Sequence, residues 1–253
     1  MDGRVDGRVD GRRTVVGVSV LVVTGTGPAA GAGLAAAAVA GLAAARGSRV
    51  AVVLPAQTGL PDGALGELAA VGARAGVDDL HELTRYEQAL SPAAAARVSG
   101  RPPLDLGRAV DRVLRLADRD LVLVLAPGGL LVRHDDDGLT VADLARALRA
   151  PVLVAARTGE GAVNEAALTL SAVAVRGLEP AGVVVTGWPA RPALADLCDA
   201  RDLETLAARP LVGALPAGLE HLTGEGFLAA ARSGTGPHLG GTFDVRAFRD
   251  AQA

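Results

Sequence analysis

Apolar residues fall in short unbroken runs, separated by Gly- and Pro-bearing turns and by Ala/Leu-rich stretches of helical length. Residues 15–24 form a continuous β-branched and apolar run, the pattern of a strand buried on both faces. A loop of Gly and Ala follows over 25–33, then an Ala/Leu-rich helix over 34–46 that Gly47 ends. Further strands are predicted over 49–54, 120–125, 151–155, 181–186 and 211–215, and helices over 63–75, 106–117, 163–176 and 193–207. Another helix runs from Thr140 to Arg149, with Asp143 in capping-box register. Ala126-Pro127-Gly128-Gly129 is a turn. Strands alternating with helices predict an α/β fold, a single doubly wound, mostly parallel sheet flanked by helices. In such sheets the ligand crevice lies at the carboxyl ends of the strands. Residues 24–33, 54–59 and 125–130 are therefore expected to gather there.

Residues 1–13, MDGRVDGRVDGRR, repeat the unit Asp-Gly-Arg-Val and have little to bury. Such a segment does not offset its ordering entropy, so a disordered tail is expected. Residues 14–253 then form one domain, since 253 residues suit one large α/β domain and not two.

Composition alters the chemistry more than the fold. The chain has no Lys, so all 25 basic residues are Arg. That excludes a lysine Schiff base, a catalytic Lys base and an intact GK[ST] phosphate loop. A net charge of -3 gives no electrostatic reason to expect nucleic acid. A lone Cys forms no internal disulfide, and zinc-type Cys spacings are absent. Apolar runs break before about 18 residues, so no membrane span is expected. The first residues carry both charge signs and no apolar core of a signal peptide, so a cytoplasmic protein is expected.

Strand, Gly-rich loop and helix together form a phosphate-binding arrangement, because backbone N–H groups and a helix N-terminus point at the anion. Here the loop belongs to a longer series. VVTGT stands at 22–26, PAQTG at 55–59, GGLLV at 128–132 and TVADLA at 140–145. Asn164 with Ala167-Leu168-Thr169 follows, then GVVVTGWP at 182–189, PLVGALP at 210–216 and LGGTFD at 239–244. In this order and spacing the chain resembles the dethiobiotin synthetase family from about Val15 to Phe248. The resemblance implies a P-loop NTPase-like fold, ATP and Mg2+ as cofactors, and a homodimer with a small-molecule diamine near the subunit interface. The implied reaction closes the ureido ring of dethiobiotin on 7,8-diaminopelargonic acid with CO2 and ATP. The diamine is carbamated, ATP phosphorylates the carbamate, and the second amine displaces phosphate.

The family loop, GTDTxVGKT, stands here as GTGPAAGAG. The resemblance places nucleotide binding at Gly25, Thr26, Gly31, Ala32 and Gly33. Gly25, Thr26 and Gly31 match it. Ala32 stands at the P-loop Lys and Gly33 at the Mg2+-binding hydroxyl. Gly27 and Pro28 replace an Asp-Thr pair, and Pro28 also removes an N–H donor. In LPAQTG, Leu54 stands at a second Lys, while Thr58 keeps its substrate-binding hydroxyl. A family Asp aligns with Ala64, and Leu125 stands at a Mg2+-linked Glu. On this alignment no catalytic residue is intact and no metal ligand remains. Phosphoryl transfer is mostly positioning and electrostatic stabilisation, and one lost donor of this kind costs about 3–4 kcal/mol. The expectation is weak or absent catalysis. The alternative role is a non-catalytic member that binds a ligand, or a true synthetase subunit, in a regulatory way; a decayed duplicate that folds and does little is the third.

Other residues receive plainer expectations. Asp135-Asp136-Asp137 before Gly138 form a solvated loop rather than a metal site, with His134 on the surface. His81, His221 and His238 have no ligand spacing and are structural. Cys198 is buried and inert. Asn164 caps a helix. Trp188 packs against the loop or stacks on a base. The hydroxyls of Thr24 and Thr26 satisfy a turn or hold a small anion.

Overall fold

The computed structural model describes residues 14–15 and 18–251; the tail expected at 1–13 lies outside them. The first half contains β1 (Thr14–Val15), β2 (Val18–Gly25), α1 (Ala32–Ala44), β3 (Val50–Leu54) and β4 (Gln57–Thr58). It continues with α2 (Glu67–Ala75), β5 (Leu80–Glu82), β6 (Arg85–Tyr86), α3 (Pro92–Ser99) and α4 (Leu106–Leu114). The second half contains β7 (Leu121–Ala126), α5 (Val141–Leu148), β8 (Val152–Ala156), α6 (Ala162–Val175) and β9 (Pro180–Trp188). It ends with α7 (Leu194–Ala207), β10 (Gly213–Pro216), α8 (Gly224–Gly234) and α9 (Val245–Asp250).

Seven parallel strands run in the order β10-β9-β8-β2-β7-β3-β5, and β1 lies antiparallel beside β2. β4 and β6 form a separate parallel pair. The sheet is buried on both faces, which is why β3, β7 and β8 read as unbroken apolar runs rather than alternating ones. Val22, Val53, Val124 and Val154 face a core completed by α4, α5, α6 and α7. Val23, Val52, Leu123 and Leu153 face the other, completed by α1, α2 and α8.

Helix α1 is buried along nearly its whole length. It is apolar all round because the sheet, α2 and α8 enclose it. Small side chains make that enclosure possible. A Cβ on Gly41 would lie 2.8 Å from Leu228 Cδ2 and 3.2 Å from Ala75 Cα, so α2 and α8 approach its backbone there. Ala36 has no exposed surface. Ala36→Leu is expected to overpack this interface and cost about 1–3 kcal/mol in urea unfolding. An unchanged midpoint would show a looser core than this one.

The predicted α/β sheet is present, with several local corrections. α2 starts at Glu67 rather than at 63, because Gly63 at φ 83° and extended Gly66 prolong the loop. Asn164 is not a cap: left-handed Gly161 precedes the first turn of α6, in which Asn164 lies. Cys198 is exposed on α7, not buried. The capping box of α5 is formed, with Thr140 N–H donating to Asp143 Oδ2 at 2.9 Å. Among the described residues no helix is long and apolar enough to cross a membrane.

Candidate functional site

The carboxyl ends of β2, β3 and β7 bring together the three segments expected there. β2 ends at Gly25, and the loop turns into α1 through Gly31. Gly31 has φ 73°, and a Cβ there would stand 2.7 Å from Thr186 Oγ1. Only Gly suits both the backbone angle and that contact. The Thr186 hydroxyl donates to Ala30 O at 2.8 Å and ties the loop to β9. Thr26 N–H donates to Ala155 O at 3.0 Å, and its hydroxyl reaches Glu165 Oε2 at 3.5 Å. The Thr24 hydroxyl donates to Ala126 O at 3.2 Å, so it serves the backbone.

Ala32, Leu54 and Leu125 belong to one apolar cluster and are 3%, 1% and 0% exposed. The geometry follows from strand register. Val53 pairs with Val124 across β3 and β7, so Leu54 and Leu125 come next on adjacent strands and face the same way, toward α1.

Gly33 lies in the first turn of α1, where backbone N–H groups and the helix dipole favour negative charge. A Cβ on Gly33 would collide with Glu67 Oε1. The Glu67 carboxylate thus occupies the space a side chain at 33 would take. Glu67 N–H donates to Gln57 Oε1 at 3.1 Å, which fixes the start of α2 beside the loop. Sequence alignment placed a lost carboxylate at Ala64; the residue that reaches the loop is Glu67, and Ala64 O instead accepts from Arg85 at 2.8 Å. The nearest side chains to Gly27, Gly31 and Gly33 are Glu165, Thr186 and Glu67. The loop therefore meets two carboxylates and a hydroxyl.

Beside it is a cavity of about 110 Å3, walled by Gln57, Thr58, Leu125, Gly128, Gly129 and His134, among others. The Gln57 amide is spent within the protein: Nε2 donates to Thr58 O at 2.9 Å, and Oε1 accepts from Glu67. Thr58, the expected substrate contact, lines the same cavity. His134 is not on the surface as expected, but 5% exposed. Its backbone N–H donates to Leu139 O at 2.7 Å, and Leu139 N–H donates to Asp135 Oδ1 at 2.7 Å. These bonds fold the acidic turn back and press the imidazole inward. Burial pushes the His134 pKa down to about 4, with Asp135 opposing in part, so the ring is neutral at pH 7. Its Nδ1 has no hydrogen-bond partner.

The remaining candidates make contacts within the protein. Asp136 pairs with Arg97 at 3.5 Å, and among the described residues no three His, Cys, Asp or Glu side chains could hold a metal. His81 Nδ1 accepts from Arg112 at 2.6 Å and Nε2 faces Asp79 at 2.8 Å; burial and then Arg112 push its pKa down. His221 lies beside Glu220 at 3.5 Å on the surface. The Trp188 ring packs on Phe248 of α9, with centroids 5.0 Å apart.

Residues 19–225 match a family described as an AAA domain. In fold, the chain is similar to a ParA family ATPase from Chlorobium tepidum, with a TM-score of 0.54, 12% identity and coverage of 87% of this chain and 91% of that one. It is also similar to the cell division ATPase MinD of Pyrococcus furiosus, with a TM-score of 0.52, 16% identity and coverage of 88% and 97%. These likenesses place the sheet among P-loop ATPase folds. Closer in sequence is the ATP-dependent dethiobiotin synthetase BioD of Frankia casuarinae, 54% identical over 92% of this chain and 98% of that protein. The protein of the same name from Streptomyces avermitilis is 45% identical over 92% and 99%. Identity at this level extends over nearly the full length of both chains, and the chain belongs to the dethiobiotin synthetase family.

Proposed function

We propose that this protein is a dethiobiotin synthetase homologue of biotin biosynthesis that retains a diamine-binding cavity and has lost the phosphoryl-transfer half of the site. The observation that carries this reading is the apolar cluster of Ala32, Leu54 and Leu125. On the family alignment these positions hold two lysines and a carboxylate. Removing one member of a buried charged set leaves the others unpaired and costs about 3–5 kcal/mol, whereas replacing the set together by packed apolar residues is often neutral or stabilising. Three apolar residues in one buried cluster read as such a joint replacement.

The residues present do not fit ATP with Mg2+. A triphosphate needs cations to offset its charge, and the loop instead faces Glu67 and Glu165. Leu125 and Gly33 offer a metal ion no side-chain oxygen. No step through ATP follows from these groups. What the site offers is a cavity with the Thr58 hydroxyl on its wall, beside a helix N-terminus already occupied by a carboxylate. A role in binding the diamine, or in pairing with a catalytically competent synthetase subunit, suits that chemistry. We further propose a homodimer; a monomer mass by light scattering at micromolar concentration would contradict it.

The 54% identity to a protein named an ATP-dependent synthetase favours a second reading, a working enzyme that has substituted its missing groups. One assay separates the two. Purified protein with ATP, Mg2+, bicarbonate and 7,8-diaminopelargonic acid is expected to form dethiobiotin at background rate, while calorimetry detects the diamine and no ATP. Turnover at a rate typical of enzymes, about 1 s⁻¹ or more, rejects the proposal.

A further inference from the structure

Buried polar atoms in folded proteins almost always have partners, so an orphan beside a cavity asks what fills the gap. His134 Nδ1 is such an atom. It belongs to a side chain about nineteen-twentieths buried, in the wall of the cavity that also holds Thr58 and the Gly128–Gly129 turn. Nothing in the family resemblance assigns this position a role. The Gln57 amide, the other nitrogen-bearing side chain of that wall, is already satisfied at both ends. The cavity's about 110 Å3 exceeds the roughly 30 Å3 share of one liquid water, and it suits a small polar head group.

We propose that His134 is a positioning residue of the diamine cavity, its imidazole Nδ1 accepting a hydrogen bond from an amino group of the bound ligand. The inference rests on the diamine reading above. A neutral ring with its proton on Nε2 supplies the required lone pair at Nδ1, and burial keeps the ring neutral at pH 7. An ammonium ligand takes that bond as a charge-assisted one, of a kind that costs about ten- to a hundredfold in affinity when removed. Because the turn fixing His134 closes through Leu139 and Asp135, the ring is held in place before any ligand arrives. The carboxyl tail and carbon chain of the ligand then extend beyond the cavity.

The test uses the full chain and 7,8-diaminopelargonic acid as probe. Calorimetry compares native protein with His134→Leu, which removes the acceptor, and His134→Asn, whose amide oxygen can stand near the Nδ1 position. Imidazole 15N spectra of native protein follow Nδ1 directly. Expected are about ten- to a hundredfold weaker binding in the Leu variant, partial recovery in the Asn variant, and an upfield move of the Nδ1 signal on binding. Native protein that binds while its Nδ1 signal stays still overturns the role of His134 alone, even if neither variant folds. Equal affinity in a folded Leu variant does the same. Native protein that binds no diamine overturns the functional reading, and this inference with it.

Discussion

Leu54→Lys alone is expected to destabilise the protein by about 3–5 kcal/mol, the cost of an unpaired charge in a packed interior. Leu54 is 1% exposed among the residues that face α1, and the carboxylate of Glu82, its register partner on β5, is already paired with Arg85 at 2.6 Å. Leu125→Glu alone is expected to behave alike, since Leu125 is fully buried. Together they should cost less than the sum, because the two side chains stand on neighbouring strands with the same facing and can pair. A double-mutant cycle by urea unfolding is expected to show about 1–3 kcal/mol of favourable coupling. Additive losses would mean the strand ends do not share a site. Adding Ala32→Lys, Gly33→Thr, Gly27→Asp and Pro28→Thr should restore ATP–Mg2+ binding, because each regained charge-assisted contact contributes about 1.5–3 kcal/mol. Thr at 33 forces Glu67 to swing off the loop, so its carboxylate no longer repels the phosphates. If the six-fold variant folds by circular dichroism and calorimetry finds no ATP, the loop has drifted from a nucleotide-binding shape.

Much of this was legible in the chain because period and burial are local properties. The strand expected over 15–24 and the Ala-rich helix expected over 34–46 stand as Val18–Gly25 and Ala32–Ala44 and bracket the loop, and both strand ends carrying Leu54 and Leu125 follow from apolar runs. That these two leucines share a face needed the sheet order, which no local pattern contains. Glu67 was missed because α2 starts only after the turns at Gly63 and Gly66. Its one sequence signal is position: an acid opening a helix that follows the LPAQTG strand end. His134 was misplaced because its three acidic neighbours read as solvent-facing, while the turn hides the ring behind its own backbone bonds. Asn164 and Cys198 failed for a related reason. A residue type carries a preference for caps or for burial, but the phase of the helix decides which face it meets.

The buried imidazole also makes stability depend on acid in a defined window. His134 titrates at about 4 in the folded protein and at the ordinary 6.5 when unfolded, chiefly because burial disfavours the charged ring. Below pH 6.5 the unfolded chain takes up a proton that the folded one refuses, so stability falls as pH drops from 6.5 toward 4. The shift spans about 2.5 pH units, and about 3 kcal/mol is the upper scale of the loss. Asp143, Asp62 and Asp120 lose stability in acid as well, since their folded pKa values lie below the usual carboxylate range. Their contribution falls mainly below pH 4, as they protonate. His134→Leu separates the two, because it removes the imidazole and leaves the carboxylates. Urea unfolding at pH 7 and pH 4.5 is expected to show a loss in native protein that shrinks by about 2–3 kcal/mol in the Leu variant. Equal losses in both would mean that the ring is reached by water and titrates normally, and the cavity it lines would then be open rather than enclosed.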